Sequence, residues 1–472
     1  MPASYLHGVE TIESEIGGQT ITVVKSGVIA LFGIAPVGPV NTLTLCLSES
    51  DDAQFGLSVP GFNIPKTLKI IRAMASSCPV MVVNVFDSQT NLNQITDEVQ
   101  QVVNGSFALS TAPIGAIVIK NADGTPATIL PGIDYNIDSF GKLTALSSNV
   151  GNGTSYKVSY KTLNPTSVTV SQLVGGIDIN GNRTGLSLYD VAYNTYGYKP
   201  KIFISPTYAS LSGIVAAMAT AAIKQRAVYL VDAPYGVTVA GAIAGRGING
   251  NIVFNTADPR ACLLYPYLKS YDDATQADGA YPFSAFMAGL IVATDVKYGY
   301  WYSPSNKQII AATGIERVIE WSINDAECEA NQLNSAGIVT VAAGYGTGML
   351  AWGNRNASFP ASTSVKNFIS LRRTDDMVAE SMEFAALPFI DQPVTQGLID
   401  TMREAGNAFI RTLIQRGAVL PGSRVNYNRA DNPASQLAAG QIVFERVYMI
   451  PTPAERVTFK DVLDISLLGQ FK

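Results

Sequence analysis

The sequence predicts a multidomain protein of mixed α+β / α/β class: an α/β core built from N- and C-terminal parts, an inserted small all-β domain and extended terminal arms. Three observations predict it. Strand and helix patterns alternate after Pro200, a block of short alternating strands interrupts patterns of another kind on both sides, and each chain end has an apolar strand-like stretch with no local partner. At 472 residues the chain exceeds the size at which one core keeps growing, so several domains are expected.

Taken in order, residues 1–27 read as an arm: Glu10, Glu13 and Glu15, a flexible Gly17-Gly18 pair, then the alternating Thr20, Ile21, Thr22, Val23 and Val24. Residues 28–104 open the α/β core with the buried-strand pattern Val28 to Pro39 and its Gly/Pro turn. Short runs such as Ala116 to Lys120 and Tyr156 to Tyr160, separated by Asp123-Gly124 and Pro131-Gly132, mark 105–165 as the inserted β domain. Residues 166–374 form an α/β domain, with strands at Lys201 to Ile204 and Ala227 to Val231 around an Ala-rich helix from Leu211 to Arg226. The last domain, 375–472, has a helix from Val394 to Arg416 with Leu398, Met402, Ala405, Phe409 and Leu413 on one stripe. A long strand from Gln441 to Ile450, a second from Arg456 to Phe459 and an apolar tail after Asp461 follow.

Composition restricts the function. Charged residues are 15% and hydrophobic ones 47%, against a usual charged share of about 25%, so apolar surface is left over for burial between subunits. The net charge of -5 and the lack of any basic run argue against nucleic acid. The opening MPASYLHGVETIESE lacks the basic and apolar regions of a secretory signal, which points to a cytoplasm. Apolar runs such as Ile214 to Ile223 fall short of the roughly 20 residues that cross a bilayer.

Chemistry is sparse, and no catalytic, cofactor or metal residues are assigned. His7 is the single histidine and sits in the arm, where nothing holds it against a nucleophile. Cys46, Cys78, Cys262 and Cys328 are too scattered for a zinc site or disulfide framework. Gly344 to Gly348 lacks the dinucleotide spacing and any following Gly-Lys-Ser/Thr. The pairs Asp51-Asp52, Asp272-Asp273 and Asp375-Asp376 suit solvated faces or helix starts, and Arg372-Arg373 an ion-pair network. Asp232 ends a strand where α/β sheets often place ligand residues, but without a Gly-rich turn it reads as a cap. Tyr298, Tyr300, Trp301 and Tyr302 read as core or subunit contact.

Ser303 to Val341 (SPSNKQIIAATGIERVIEWSINDAECEANQLNSAGIVTV), with Trp352-Gly353-Asn354-Arg355 and Phe368 to Met377, resembles the signature region of contractile phage tail sheath proteins. Leu437 to Gly440, Pro453 to Phe459, Tyr5 to Val9 and Val28 to Pro36 are similar as well, while the β domain departs from the pattern. R-type pyocin and type VI secretion sheaths are related machines. The resemblance implies an α/β sheath core and a six-fold helical homo-oligomer around an inner tail tube protein, with baseplate and tail terminator proteins as partners. It implies a virion tail assembled in the bacterial host cytoplasm, while the residues themselves point to no cofactor, no nucleic acid and no membrane insertion.

It also implies that terminal strands join sheets of neighbouring subunits, a form of β-augmentation. The segments expected to do so are Thr20 to Val24 and, at the other end, Ile442, Phe444, Val447, Met449, Val457 and Phe459. Arg403, Glu404 and Arg411 are expected to face the tube. The competing readings are an α/β nucleotide-binding enzyme, supported by the alternation from Lys201 to Asn255, and another self-assembling shell protein.

Overall fold

The computed structural model describes residues 25–344 and 346–470. These fall into two compact units: a larger one of Lys25–Tyr298 and Ser303–Ile369, and a smaller one of Gly299–Tyr302 and the chain from Ser370 onward.

The larger unit is organised by a nine-stranded sheet. Its strands in chain order are β1 (Ile29–Gly33), β2 (Leu43–Cys46), β3 (Val80–Asn84), β4 (Ile202–Ile204), β5 (Val228–Asp232), β6 (Ala261–Leu264), β7 (Lys307–Gln308), β8 (Ile338–Gly344) and β9 (Gly348–Trp352). They lie in the order β7-β9-β8-β6-β5-β4-β1-β3-β2. From β8 to β3 every pairing is parallel, and β2 and the β9-β7 pair close the two edges antiparallel. Parallel strands covered on both faces need unbroken apolar sequence. IALFG in β1 and VMVVN in β3 meet that need, and both are buried throughout.

Helices α1 (Ile64–Met74), α2 (Ser212–Gln225) and α3 (Phe283–Lys297) belong to the same unit. Gly289 lets α3 approach α1 closely, since a Cβ there would stand 2.7 Å from the Met74 Cβ. Helix α2 stops at Arg226, whose positive φ of 48° breaks the helical path.

The β module begins earlier than the sequence pattern suggests. Leu92–Gln101 is a ten-residue strand paired with Ser155–Leu163, which also pairs with Ile114–Asn121. LNQITDEVQQ alternates poorly, and only a partner some sixty positions away makes it a strand, so local pattern does not reveal it. Ser106–Ala108, Lys142–Ala145 and Tyr135–Ile137 form a second small sheet. The module has a separate apolar cluster around Phe107, Leu143, Tyr156, Val158 and Tyr160.

In the smaller unit, α4 (Ile369–Ala386) and α5 (Gln396–Gln415) accompany a two-stranded antiparallel sheet of β10 (Arg424–Tyr427) and β11 (Phe444–Val447). Thr395 caps α5 by accepting from the Leu398 N–H, and the stripe residues Leu398, Phe409 and Leu413 are buried. The expected ten-residue strand from Gln441 to Ile450 is regular only over Phe444–Val447. Before it, Val443 is held by the Asn432 side chain, and after it the Met449 carbonyl accepts from the Leu420 N–H. Arg456 to Phe459 lies outside regular secondary structure.

Candidate assembly surface

The carboxylates that suggested chemistry have structural partners among the described residues. Asp232 ends β5 fully buried and accepts hydrogen bonds from the Ser284 N–H at 2.8 Å and the Ser284 hydroxyl at 2.5 Å, capping the first turn of α3. Burial pushes its carboxyl up to about 7, and those two bonds oppose the rise. Gly344 and Gly348 face each other across the β8-β9 hairpin, so the glycine run leads into a strand and not into a helix N-terminus.

The acidic pairs are likewise engaged. Asp51 accepts from the Leu47 and Ser48 N–H groups, Asp52 pairs with Arg72 at 2.7 Å, and Arg372 bridges Asp375 and Asp376 at 2.5 and 2.7 Å. Tyr281 donates to Asp272 at 2.7 Å. All four cysteines are free and buried. Among the described residues no group of three or more acids, histidines or cysteines is placed to hold a metal, and no helix is long and apolar enough to cross a membrane. His7 lies outside the described residues. Of the aromatic string, Tyr298 belongs to the larger unit and Tyr300 to Tyr302 to the smaller. Tyr300 and Trp301 pack edge to face at 5.1 Å.

What remains open is surface. Val457, Phe459, Val462, Leu463, Ile465 and Leu468 are all exposed, Phe459 by 86% and Leu463 by 96%. Such a concentration of uncovered apolar side chains marks an interaction site. Of the other sequence-flagged residues, Phe444 is half-buried beside the Tyr427 ring at 5.9 Å, while Val447 and Met449 are exposed. Ile442 is half-buried just ahead of β11. Thr20 to Val24 lie outside the described residues.

The strand pair is finished by side-chain amides. Asn407 of α5 donates to the Val425 carbonyl at 3.0 Å and accepts from the Val425 N–H at 2.8 Å. Asn432 donates to the carbonyls of Asn428 and Val443 and accepts from the Val443 N–H. Because Val425 turns its main-chain groups to Asn407, its pairing with Arg446 is the non-hydrogen-bonded kind. The alternation then sends the N–H and C=O of Arg446 and Phe444 to the far edge of β11. No further described strand lies beside that edge.

Two grooves flank the pair. One, apolar and of about 260 Å³, is lined by Met382, Phe389, Met402, Gly406, Val425 and Phe444 among others. The other, polar and of about 510 Å³, runs along β10 between Arg403, Arg424, Arg429 and Glu445. Arg403 stands within 3.3 Å of Asp400 and 3.4 Å of Glu404, and Glu404 and Arg411 are exposed. Asn407, Asn432, Arg424 and Arg429 went unnoticed at the level of sequence, since single polar residues in no motif give no signal of what they meet.

An α/β body, a strand pair with no described strand beside one edge and an exposed apolar tail together have the make-up of a self-associating structural protein. The family description "phage tail sheath protein central domain" matches residues 181–357. Over 98% of its length the chain is 40% identical to the tail sheath protein of Burkholderia phage BcepMu, covering 97% of that protein. Over 62% of its length it is 26% identical to the tail sheath protein of Escherichia phage P2, covering 70% of that protein. In fold it is similar to the contracted sheath complex of the PVC extracellular contractile injection system, with a TM-score of 0.60 at 14% identity over 99% of this chain and 100% of the other. The contracted helical sheath of the anti-feeding prophage gives 0.58 at 16%, over 98% and 100%. The chain belongs to the tail sheath protein family, and it is a phage tail component.

Proposed function

We propose that this tail sheath protein polymerises as a six-fold helical tube around an inner tail tube, and that its termini complete the sheets of neighbouring copies. The edge of β11, which no described strand covers and which lies beside an apolar groove, carries the proposal. An incoming strand satisfies the outward main-chain groups of Phe444 and Arg446 and places alternate side chains in the groove. The two candidate donors are Thr20 to Val24, whose Gly17-Gly18 hinge lets bodies rotate without breaking the pairing, and the tail bearing Val457 and Phe459. A mesh of this kind keeps the copies connected while the assembly shortens.

Deleting residues 1–24 tests the arm. Folded monomers that no longer form cylinders are expected, and unchanged cylinders would contradict the reading.

Contraction on this reading takes its free energy from interface formed when subunits leave a less stable packing, with no hydrolysed cofactor. Baseplate and tail terminator proteins hold the extended form, and assembly takes place in the host cytoplasm. A requirement for ATP in contraction of purified particles overturns that part. The exposed side of α5, with Arg403, Glu404 and Arg411, is proposed to meet the tube through weak contacts of both signs. Reversing Arg403 and Arg411 to Glu should abolish tube-templated assembly, and retention of it removes the assignment.

A further inference from the structure

We infer that the polar groove along β10 is the seat of the acidic stretch Glu10 to Glu15 of a neighbouring copy, held there by Arg424 and Arg429. The inference rests on the arm reading above and adds the part of the arm that is recognised by charge.

The groove is not suited to another strand. Its floor at Val425 has both main-chain groups taken by Asn407, so at that position it presents side chains. Arg403 already shares its charge with Asp400 and Glu404. Among the described residues Arg424 donates only to the Gly422 carbonyl, and neither it nor Arg429 has a carboxylate partner. Two guanidinium groups facing one open groove form a site for carboxylates, because their paired N–H donors match carboxylate oxygens.

Of the two terminal segments, one matches the groove in charge. Between residues 1 and 24 the only charged side chains are Glu10, Glu13 and Glu15. The other terminal segment, from Pro451 to Lys472, carries Glu455, Asp461 and Asp464 against Arg456, Lys460 and Lys472 and has no net side-chain charge. Charge therefore selects the N-terminal arm. Reach agrees: Thr20 lies five positions after Glu15, at most about 18 Å of extended chain, so a strand pairing at this small sheet leaves its acids near β10. The latch sets which stretch of arm pairs, since a slip of one residue turns every strand side chain to the opposite face.

Two full-length variants test this. The groove variant carries Arg424→Glu and Arg429→Glu, and the arm variant Glu10→Lys, Glu13→Lys and Glu15→Lys. Each alone should raise the concentration needed for cylinders at least about tenfold, from lost pairs and new repulsion. Mixed in equal amounts they should assemble near the wild-type threshold, because each arm then fits the other's groove. Circular dichroism melting checks folding, and an Arg424→Gln/Arg429→Gln variant with a flattened salt dependence of assembly supports the same conclusion without charge reversal. A groove variant that assembles like wild type overturns the latch. An impaired groove variant that mixing does not restore also overturns it, because the groove then serves another occupant. Intact cylinders after deletion of residues 1–24 would instead defeat the arm reading beneath.

Discussion

The side-chain amide of Asn407 meets both main-chain groups of Val425, giving a hydrogen bond to the carbonyl at 3.0 Å and receiving one from the N–H at 2.8 Å. A helix side chain thus stands where a third strand would otherwise pair. It closes that edge of the β10-β11 sheet at Val425, and among the described residues no strand lies beside the far edge of β11. Gly406, one residue earlier, lets the helix come this near, since a Cβ there would lie 3.0 Å from the Val425 Cγ2.

Asn407→Leu should cost about 1–3 kcal/mol, because both Val425 groups lose their partner under an apolar side chain. Urea unfolding checks it. Asn407→Asp retains the acceptor and loses the donor, so it should fall between the variant and wild type; equal stability of all three chains would remove the edge-closing role.

Asp232 makes stability depend on pH in a defined direction. Its folded carboxyl is pushed up to about 7, against an ordinary value of 3.8. The contribution is fully present below about pH 4; as pH rises from 4 to 7 the unfolded chain ionises first and the contribution is lost. The loss is on the order of 4 kcal/mol at most. Asp232→Asn, which retains an acceptor for Ser284, should gain on wild type between pH 4.5 and pH 8. A stability difference that does not change with pH contradicts this.

Arg72 is buried and joins three segments. Its Nε donates to Asp52 at 2.7 Å, its Nη2 to Asp52 at 3.0 Å and to the Cys46 carbonyl at 3.1 Å, and its Nη1 to the Cys78 carbonyl. Arg72→Met should destabilise by about 3–5 kcal/mol, since it strands a carboxylate and the carbonyls of Cys46, Ser76 and Cys78. Arg72→Lys should recover little, because a single ammonium cannot replace the fork. Thermal melts of both variants decide the matter.

The four cysteines should resist thiol reagents until the chain unfolds. Burial first, with Asp52 adding to it at Cys46, pushes the thiols of Cys46 and Cys78 up to about 12, so neither ionises appreciably at pH 8. Cys262 and Cys328 are buried as well. Titration with a chromogenic disulfide should find no fast thiol in the native protein and four in denaturant. A fast-reacting thiol in the folded chain sinks this prediction.

Much of both units was legible because strands and helices announce themselves by period. The apolar run after Val28, the strand before Ser205, the Ala-rich helix and the amphipathic helix near the C-terminus all form, each within a few residues of its expected limits. Arg372 beside two aspartates was also readable, since its partners sit one helical turn away, whereas Asp232, expected to cap its own loop, caps the first turn of a helix 52 residues on. Leu92–Gln101 was not, because its partner strand lies far along the chain.

By itself the sequence determined the mixed class, the lack of a recognisable catalytic motif, the surplus of apolar residues and the acidic arm, all properties of composition and local period. Only the tertiary structure decided that β11 stops at Val447, that Asn407 and Asn432 finish the strand pair, and that Arg424 and Arg429 face one groove. The reason is that a main-chain hydrogen bond or a shared charge site depends on which distant segments meet, and spacing along one chain does not carry that information.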